Sequence, residues 1–229
     1  MNNKKTWACS DFHGNYKAYE AVKNYIGEND VVYYLGDAGD RGPEPWRTIT
    51  AIYNDDQFHY IKGNHEDMLV NAMKEWLPDH IKGSEYELLS WNGGHKTFQE
   101  WKNGPERNKW VTRLSALPTY ESYVNVNNQV IYLTHAGFTP PIVPKYDELI
   151  WDRYHIYDDW AGIEIEYIVH GHTPTRHYVG SDSIWTYCEG HKIDIDISCY
   201  RSQKVALLNL DTLEPIYLMA QYEEDEIDG

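Results

Sequence analysis

The chain has 229 residues, of which 41% are hydrophobic and 24% are charged, a composition typical of a single large globular domain. The formal net charge of −16 repels nucleic acid backbones, and no apolar run reaches the 18 residues of a membrane span. Neither nucleic acid nor a membrane is therefore an expected partner. The first residues show no apolar signal-peptide core, and the three cysteines form no C-x-x-C pair. We therefore expect a cytoplasmic protein with reduced thiols.

The first third of the chain alternates between strand and helix patterns. Apolar runs of strand length lie at residues 6–10, 31–35 and 58–61. Between the first two runs, Ala18, Ala21, Val22 and Tyr25 recur at helical spacing, and a similar pattern precedes the third run. This β-α-β-α-β order predicts parallel strands joined by helix crossovers.

The remainder divides into a helical middle and a strand-rich end. A tryptophan-rich insert at about 66–117 has a mostly helical pattern. Apolar runs follow at residues 130–134, 167–169, 193–197, 205–210 and 216–219. Their short connections predict hairpins and antiparallel pairs. Because no repeat or linker divides the chain, we expect one domain at 1–222 and a solvated acidic tail at 223–229.

Residues that can bind metals follow five of the predicted strands. They are Asp11 and His13, Asp37 and Asp40, Asn64 and His65, His135, and His172. One such residue at a strand end is usually a cap or a turn residue, but sites in open α/β sheets form where the carboxyl ends of strands meet. Five cases together indicate one shared site.

The candidate ligands are Asp11, His13, Asp37, Asn64, His135 and His172. This mixture of oxygen and nitrogen donors without thiolates suits Mn, Fe or Zn better than Mg or Ca, and it does not distinguish among the first three. Six ligands exceed what one catalytic ion with an open position needs. They suit two ions that share a bridging carboxylate, about 3.5–4 Å apart.

Five short motifs carry a resemblance to a known family. In chain order they are SDFHG (10–14), GDAGDRG (36–42), GNHE (63–66), HAG (135–137) and GHT (171–173). The set resembles the phosphoprotein phosphatase branch of the calcineurin-like metallophosphoesterases, and most closely the small serine/threonine protein phosphatases of bacteriophage lambda and bacteria. The resemblance spans nearly the whole chain, and Ser10 departs from it because a glycine usually precedes Asp11.

The resemblance implies an α/β fold, a four-layer α/β/β/α sandwich with two mixed sheets. It also implies two divalent ions, Mn²⁺ before Fe or Zn, and hydrolysis of phosphomonoesters by attack of a metal-bridging hydroxide. Asp11 and His13 would hold the first ion, and Asp37 would bridge both. Asn64, His135 and His172 would hold the second.

Four further residues receive catalytic roles from the resemblance. His65 would be the general acid that protonates the leaving oxygen, and Asp40 would orient it. Arg41 and Arg153 would bind the phosphate oxygens together with Asn64. These roles also suit the side chains, since imidazole titrates near neutral pH and guanidinium matches phosphate with two parallel hydrogen bonds.

Three functions stay open at this point. The first is hydrolysis of phosphoserine and phosphothreonine in proteins, and the second is symmetric hydrolysis of dinucleoside polyphosphates such as diadenosine tetraphosphate. The third is a catalytically silent phosphate-binding module, which would usually have lost a ligand or the acid. The expected partner is therefore a phosphorylated protein or a small phosphoester, and the sequence predicts no oligomeric state.

The stretch YIVHGHTPTRH (167–177) contains three histidines with different expected roles. His172 is the predicted ligand. His170 is expected to be a packed, hydrogen-bonded strand residue, and His177 to face solvent or the rim of the cleft. Glu66, the last letter of GNHE, is expected to act structurally in the first turn of the helix that follows.

Overall fold

The computed structural model describes residues 4–79, 83–139, 145–157 and 166–222, so the predicted acidic tail lies outside the described residues. Two five-stranded sheets form the centre of the protein. Both contain parallel and antiparallel pairs. The predicted α/β class with two mixed sheets is confirmed. No helix among the described ranges is long and apolar enough to span a membrane.

The first sheet has the strand order β10-β9-β1-β2-β3. Its strands are β1 (Thr6–Cys9), β2 (Val31–Tyr34), β3 (Phe58–Tyr60), β9 (Lys204–Asn209) and β10 (Pro215–Met219). Strands β1, β2 and β3 are parallel, as the crossover pattern predicted, and helices α1 (Tyr16–Tyr25) and α2 (Pro45–Asn54) connect them. The carboxyl ends of these three strands therefore lie at one edge of the sheet.

The second sheet has the order β4-β5-β6-β8-β7. Its strands are β4 (Tyr120–Val124), β5 (Val130–Thr134), β6 (Glu166–His170), β7 (Trp185–Tyr187) and β8 (Lys192–Asp194). The three central strands β5, β6 and β8 are parallel, whereas β4 and β7 pair antiparallel at the two edges. The segment predicted as a strand at 193–197 is shorter because Asp194 and Asp196 accept the backbone N–H of residues 196 and 198, which ends the strand in turns.

The two sheets pack face to face through one hydrophobic cluster. Ala8, Leu35 and Ile61 from the first sheet and its strand ends contact Leu133 and Val169 of the second. A larger cluster lies on the other face of the first sheet, where helices cover it. On the outer face of the second sheet, a short 3-10 turn (His155–Tyr157) covers β6 and β8. This arrangement is the predicted four-layer sandwich.

Four helices follow β3 in the region predicted to be a helical insert. They are α3 (Asn64–Asp79), α4 (Ser84–Trp91), α5 (His95–Asn103) and α6 (Arg107–Ser115). Trp76, Trp101 and Trp110 are buried in the core, but Trp91 is 82% exposed. Three shorter α-helices lie later in the chain: α7 (Tyr146–Trp151), α8 (Arg176–Val179) and α9 (Cys199–Ser202). A second 3-10 turn lies at Cys188–Gly190.

The outer face of the second sheet contains a buried histidine, His155, which is 2% exposed. Its ring lies edge-on to that of His170, with 4.8 Å between the ring centres. Burial, followed by the charge of Lys192, lowers the pKa of His155 to about 3. An unfolded histidine titrates near 6.5, so between these two values the unfolded chain binds the additional proton.

Stability should therefore fall as the pH falls from about 6.5 toward 3. At pH 5 the titration of His155 lowers the free energy of unfolding by about 2 kcal/mol. We expect His155→Phe, which keeps a ring but cannot titrate, to flatten the decline in unfolding free energy between pH 7.5 and 5 by about this amount. Urea denaturation of both proteins at several pH values measures it, and parallel declines would contradict the assignment.

Candidate metal centre

The predicted metal ligands come together where the strand ends of the two sheets meet. Each lies within four residues of the carboxyl end of a strand, and all six are buried: Asp11, His13, Asp37, Asn64, His135 and His172. Hydrogen bonds link the loops, since Asp11 N donates to Gly36 O and Gly171 N donates to His135 O. Backbone contacts thus hold together loops that are distant in sequence.

The backbone of these loops adopts an uncommon conformation. Positive φ angles occur at Asp11, His13, Asp37, Asp40, Arg41 and His172, none of which is glycine. Aspartate and histidine are among the residues that tolerate this region best. The conformation turns the chain sharply at each strand end and directs consecutive side chains toward the common centre.

Asp37 lies between two groups of donor atoms. The first group contains His13, Asp37 and His65, and the second contains Asp37, His135 and His172. One carboxylate oxygen, Oδ2, is 3.6 Å from His13 Nε2 and 3.8 Å from His65 Nε2. The other oxygen, Oδ1, is 3.3 Å from His135 Nε2. A carboxylate placed in this way can bridge two cations.

The remaining predicted ligands complete these groups. Asn64 Oδ1 lies 2.9 Å from His135 Nε2 and 3.0 Å from His172 Nδ1. Asp11 Oδ1 is 4.0 Å from His13 Nε2, and both carboxylate oxygens of Asp11 accept the backbone N–H of His172. The oxygen and nitrogen donors therefore converge in two sets that fit divalent cations of the Mn, Fe or Zn type.

Contacts on the far side of two imidazole rings orient them. His135 Nδ1 donates to Leu35 O at 2.7 Å, and His13 Nδ1 donates to Gly39 O at 3.2 Å. Each ring therefore directs Nε2 toward Asp37. Metal-binding histidines are commonly oriented through the other ring nitrogen in this way.

The charges of the cluster shift its pKa values strongly. Burial raises the pKa of Asp37, but the charges of His135 and His65 outweigh it and hold that pKa well below the usual range. Burial lowers the pKa of His135, but Asp37 and Asp11 raise it to about 10. A cation bound at His135 Nε2 would have to displace the proton that this raised pKa favours.

Arg41 and Arg153 enter the cluster from different loops. Arg41 Nη1 donates to His13 Nε2 at 2.8 Å, and its Nη2 donates to His65 Nε2 at 2.9 Å. Arg153 Nε donates to His172 Nε2 at 3.0 Å. The two guanidinium groups thus approach both donor groups, where they can bind the oxygens of a phosphate.

His65 and Asp40 form a tight buried pair. His65 Nδ1 lies 2.6 Å from Asp40 Oδ2, so the opposite ring nitrogen points toward Asp37 and Arg41. Asp40 is fixed in turn by Thr97, whose hydroxyl donates to Asp40 Oδ1 and accepts from Asp40 N. Thr97 belongs to α5 and was missed from the sequence, because no motif marks it.

Glu66 supports the loop that carries Asp37. Its buried carboxylate accepts the N–H groups of Asp37, Ala38 and Gly63 at 2.8–2.9 Å and the hydroxyl of Tyr60 at 2.7 Å. The structural role predicted for Glu66 is thus confirmed, and it extends beyond the first turn of α3. Its four hydrogen bonds join two of the motifs.

We expect Glu66→Gln to lower the unfolding free energy by about 1–3 kcal/mol, because the glutamine amide would direct N–H groups at buried donors. Glu87→Gln, on the exposed face of α4, is the matched control and should change little. Urea denaturation measures both. Equal stability of the two variants would show that the four hydrogen bonds are unimportant.

The three histidines at 167–177 lie in three different environments. His172 is in the cluster, within 3.1 Å of His135 Nε2. His170 is 2% exposed and hydrogen-bonded to Tyr187 at 2.8 Å, so its prediction as a packed strand residue is confirmed. His177 is exposed on α8, as expected.

The sequence is similar to known phosphoesterases. A profile of the calcineurin-like phosphoesterases matches residues 4–198. The asymmetrical bis(5'-nucleosyl)-tetraphosphatase PrpE of Anoxybacillus flavithermus is 21% identical over 240 residues, covering 90% of each chain. Serine/threonine-protein phosphatase 2 of Escherichia coli is 31% identical over 71 residues, 30% of this chain and 32% of that protein.

The fold has close counterparts among solved structures. A crystal structure of a putative diadenosine tetraphosphatase superposes with a TM-score of 0.66 at 17% identity. It covers 97% of this chain and 96% of that one. At this identity the likeness concerns the fold, and the motifs carry the likeness of the site.

Proposed function

The chain belongs to the calcineurin-like phosphoesterase family, and on that premise we propose that it hydrolyses phosphoester bonds with two divalent cations, Mn²⁺ first among them. The observation that carries this proposal is the placement of Asp37, which presents one carboxylate oxygen to each of two donor groups. Bound cations of this kind supply a nucleophile by lowering the pKa of water, and they polarise the phosphoryl group.

The two arginines would hold the substrate. Their N–H groups donate to ring nitrogens of His13, His65 and His172. A phosphate group offers stronger, charged acceptors for the same N–H groups. Arg41 and Arg153 would therefore exchange the imidazoles for the phosphate oxygens and so hold the substrate at the cluster.

His65 would donate the proton that the leaving oxygen requires. Asp40 holds Nδ1 of the ring at 2.6 Å, and Nε2 faces the reaction site. The Asp40 carboxylate in that position fixes the orientation of the ring. Protonation of a poor leaving group by a positioned side chain typically raises the rate by a factor of about 10²–10⁴.

Two substrate classes are supported by different comparisons. Hydrolysis of phosphoserine and phosphothreonine in proteins is supported by the 31% identity to a bacterial serine/threonine phosphatase, over less than a third of the chain. Hydrolysis of dinucleoside tetraphosphates is supported by a relative of that name over 90% of both chains. The partner would be a phosphoprotein in the first class and a small phosphoester in the second. We also propose a cytoplasmic location, supported by the three free cysteines.

An activity panel with Mn²⁺ tests the proposal. It compares p-nitrophenyl phosphate, a phosphoserine peptide, a phosphotyrosine peptide and diadenosine tetraphosphate. A preference for the phosphoserine peptide supports the first class, and a preference for the dinucleotide supports the second. Products of the dinucleotide distinguish symmetric cleavage, which gives two ADP, from asymmetric cleavage, which gives ATP and AMP. If no substrate were hydrolysed with any divalent ion, the result would contradict both classes and favour a catalytically silent phosphate-binding module.

A further inference from the structure

A cavity of about 450 Å³ adjoins the metal-ligand cluster, and Arg41 belongs to both. Its other lining residues include Pro43, Lys96, Tyr200, Gln203 and Tyr222. A volume of this size is in the range of small-molecule sites, about 300–1,000 Å³. None of these five residues belongs to the motifs that mark the cluster, so no local pattern connects them with the site.

The position of Arg41 shows how the cavity relates to the reaction. Its guanidinium nitrogens contact His13 and His65, and the same group lies 5.6 Å from the centre of the Tyr200 ring. Tyr200 also packs edge-on to His13, with 5.6 Å between the ring centres. The rings of His13 and His65 lie edge-on, with 4.7 Å between their centres. An occupant of the cavity therefore lies beside the donor group that contains both histidines. Since His65 is the proton donor in the proposed function, the leaving group departs on this side.

We propose that this cavity is the leaving-group subsite and that it accepts a nucleoside phosphate, an inference that rests on the proposed function. The cavity combines a half-buried aromatic ring with two cationic side chains. An aromatic ring can stack on a nucleobase, and a lysine ammonium can pair with phosphate oxygens beyond the one that reacts. The dinucleoside polyphosphates carry both features in the group that departs.

The cationic side chain of Lys96 is available to such a group at small cost. Its Nζ donates to Pro43 O at 2.6 Å and lies 4.0 Å from Glu100 Oε1, at the exposed end of α5. A phosphate would compete with a single carbonyl and a distant carboxylate. Tyr222, by contrast, is already engaged, because its hydroxyl donates to Glu44 and accepts from the backbone of Tyr16, and it forms a wall of the cavity.

A protein substrate matches the cavity less well. The leaving group of a phosphoserine peptide is an aliphatic hydroxyl with neither a planar ring nor a second phosphate. It would leave the ring of Tyr200 and the ammonium of Lys96 without matching groups. The chemistry of the lining thus favours the nucleotide class over the phosphoprotein class.

Two variants, Lys96→Ala and Tyr200→Leu, test the proposal. For each, kcat/KM is measured with Mn²⁺ on diadenosine tetraphosphate and on β-glycerophosphate, whose leaving group has neither a ring nor a second phosphate. We expect the ratio of the two values to fall at least about fivefold in Tyr200→Leu, the lower bound of losing one stacked base. A fall of at least about fivefold is also expected in Lys96→Ala, which loses a hydrogen bond between charged groups. Lys109→Ala, another exposed helix lysine that pairs with a glutamate, is the matched control and should keep the ratio within twofold.

A binding measurement separates the subsite from the chemistry. In EDTA, the dissociation constant of ATP, measured by calorimetry, should rise at least about fivefold in both variants, through loss of stacking in Tyr200→Leu and of a charged hydrogen bond in Lys96→Ala. An unchanged constant together with an unchanged ratio would overturn the subsite, and so would equal losses on both substrates, which indicate that Tyr200 only positions Arg41. A wild-type protein that binds ATP but hydrolyses nothing would instead contradict the proposed function.

Discussion

Asp37→Asn is expected to lower kcat/KM by more than about 100-fold and to remove bound metal. Substitution of residues that merely contact a metal ligand commonly costs 10–100-fold, and Asp37 lies within both donor groups. Asparagine keeps the shape of the side chain but loses the charge, and it cannot offer two equivalent oxygens to two cations. The fold should survive, because asparagine also tolerates the positive φ of 60° at this position.

The metal content of the purified protein, measured by mass spectrometry after loading with Mn²⁺, is the direct readout for Asp37→Asn. We expect it to fall from two ions per chain to one or none. Asp56→Asn, an exposed aspartate after α2, is the matched control and should retain both ions. A variant that keeps two ions and full activity would show that Asp37 is not a bridging ligand.

His65→Asn is expected to lower kcat by about 10²–10⁴ on substrates with poor leaving groups, since it removes the proposed proton donor. The loss should be much smaller on p-nitrophenyl phosphate, whose leaving group departs without a proton. Metal content should be retained, although His65 Nε2 lies only 3.8 Å from Asp37 Oδ2. This combination distinguishes a proton donor from a ligand.

Two controls sharpen the His65 experiment. His177→Asn, at an exposed histidine of α8, should leave kcat unchanged. Asp40→Asn should reduce kcat in the same direction as His65→Asn, because it removes the carboxylate that orients the ring. Loss of metal together with activity in His65→Asn, or equal loss on both kinds of substrate, would contradict its role as the acid.

The position of the site was predictable because its residues stand at strand ends. An apolar run marks each strand, and the polar residues directly after it must lie at the carboxyl edge of a parallel sheet. Residues such as Asp37 and His135 therefore lie at the sheet edge that their position after an apolar run predicts. Their roles as ligands stay predictions until metal is measured.

Other features depend on contacts that no local pattern encodes. The hydrogen bonds from Thr97 to Asp40 and from Tyr60 to Glu66 join distant parts of the chain. Strand β4 was not recognised because its sequence YESYV is half-exposed at a sheet edge and contains no apolar run. Strand β7 has only three residues, so it was missed for a similar reason.

The positive φ angles in the ligand loops lower folding stability at positions whose side chains are needed for function. Residues other than glycine cost about 1–3 kcal/mol in such conformations when the surroundings do not favour them. Replacement by glycine at Asp11 or His172 would relieve that cost and also delete a donor. A laboratory selection for thermal stability alone should therefore enrich glycine at these positions. The more stable variants would bind metal weakly.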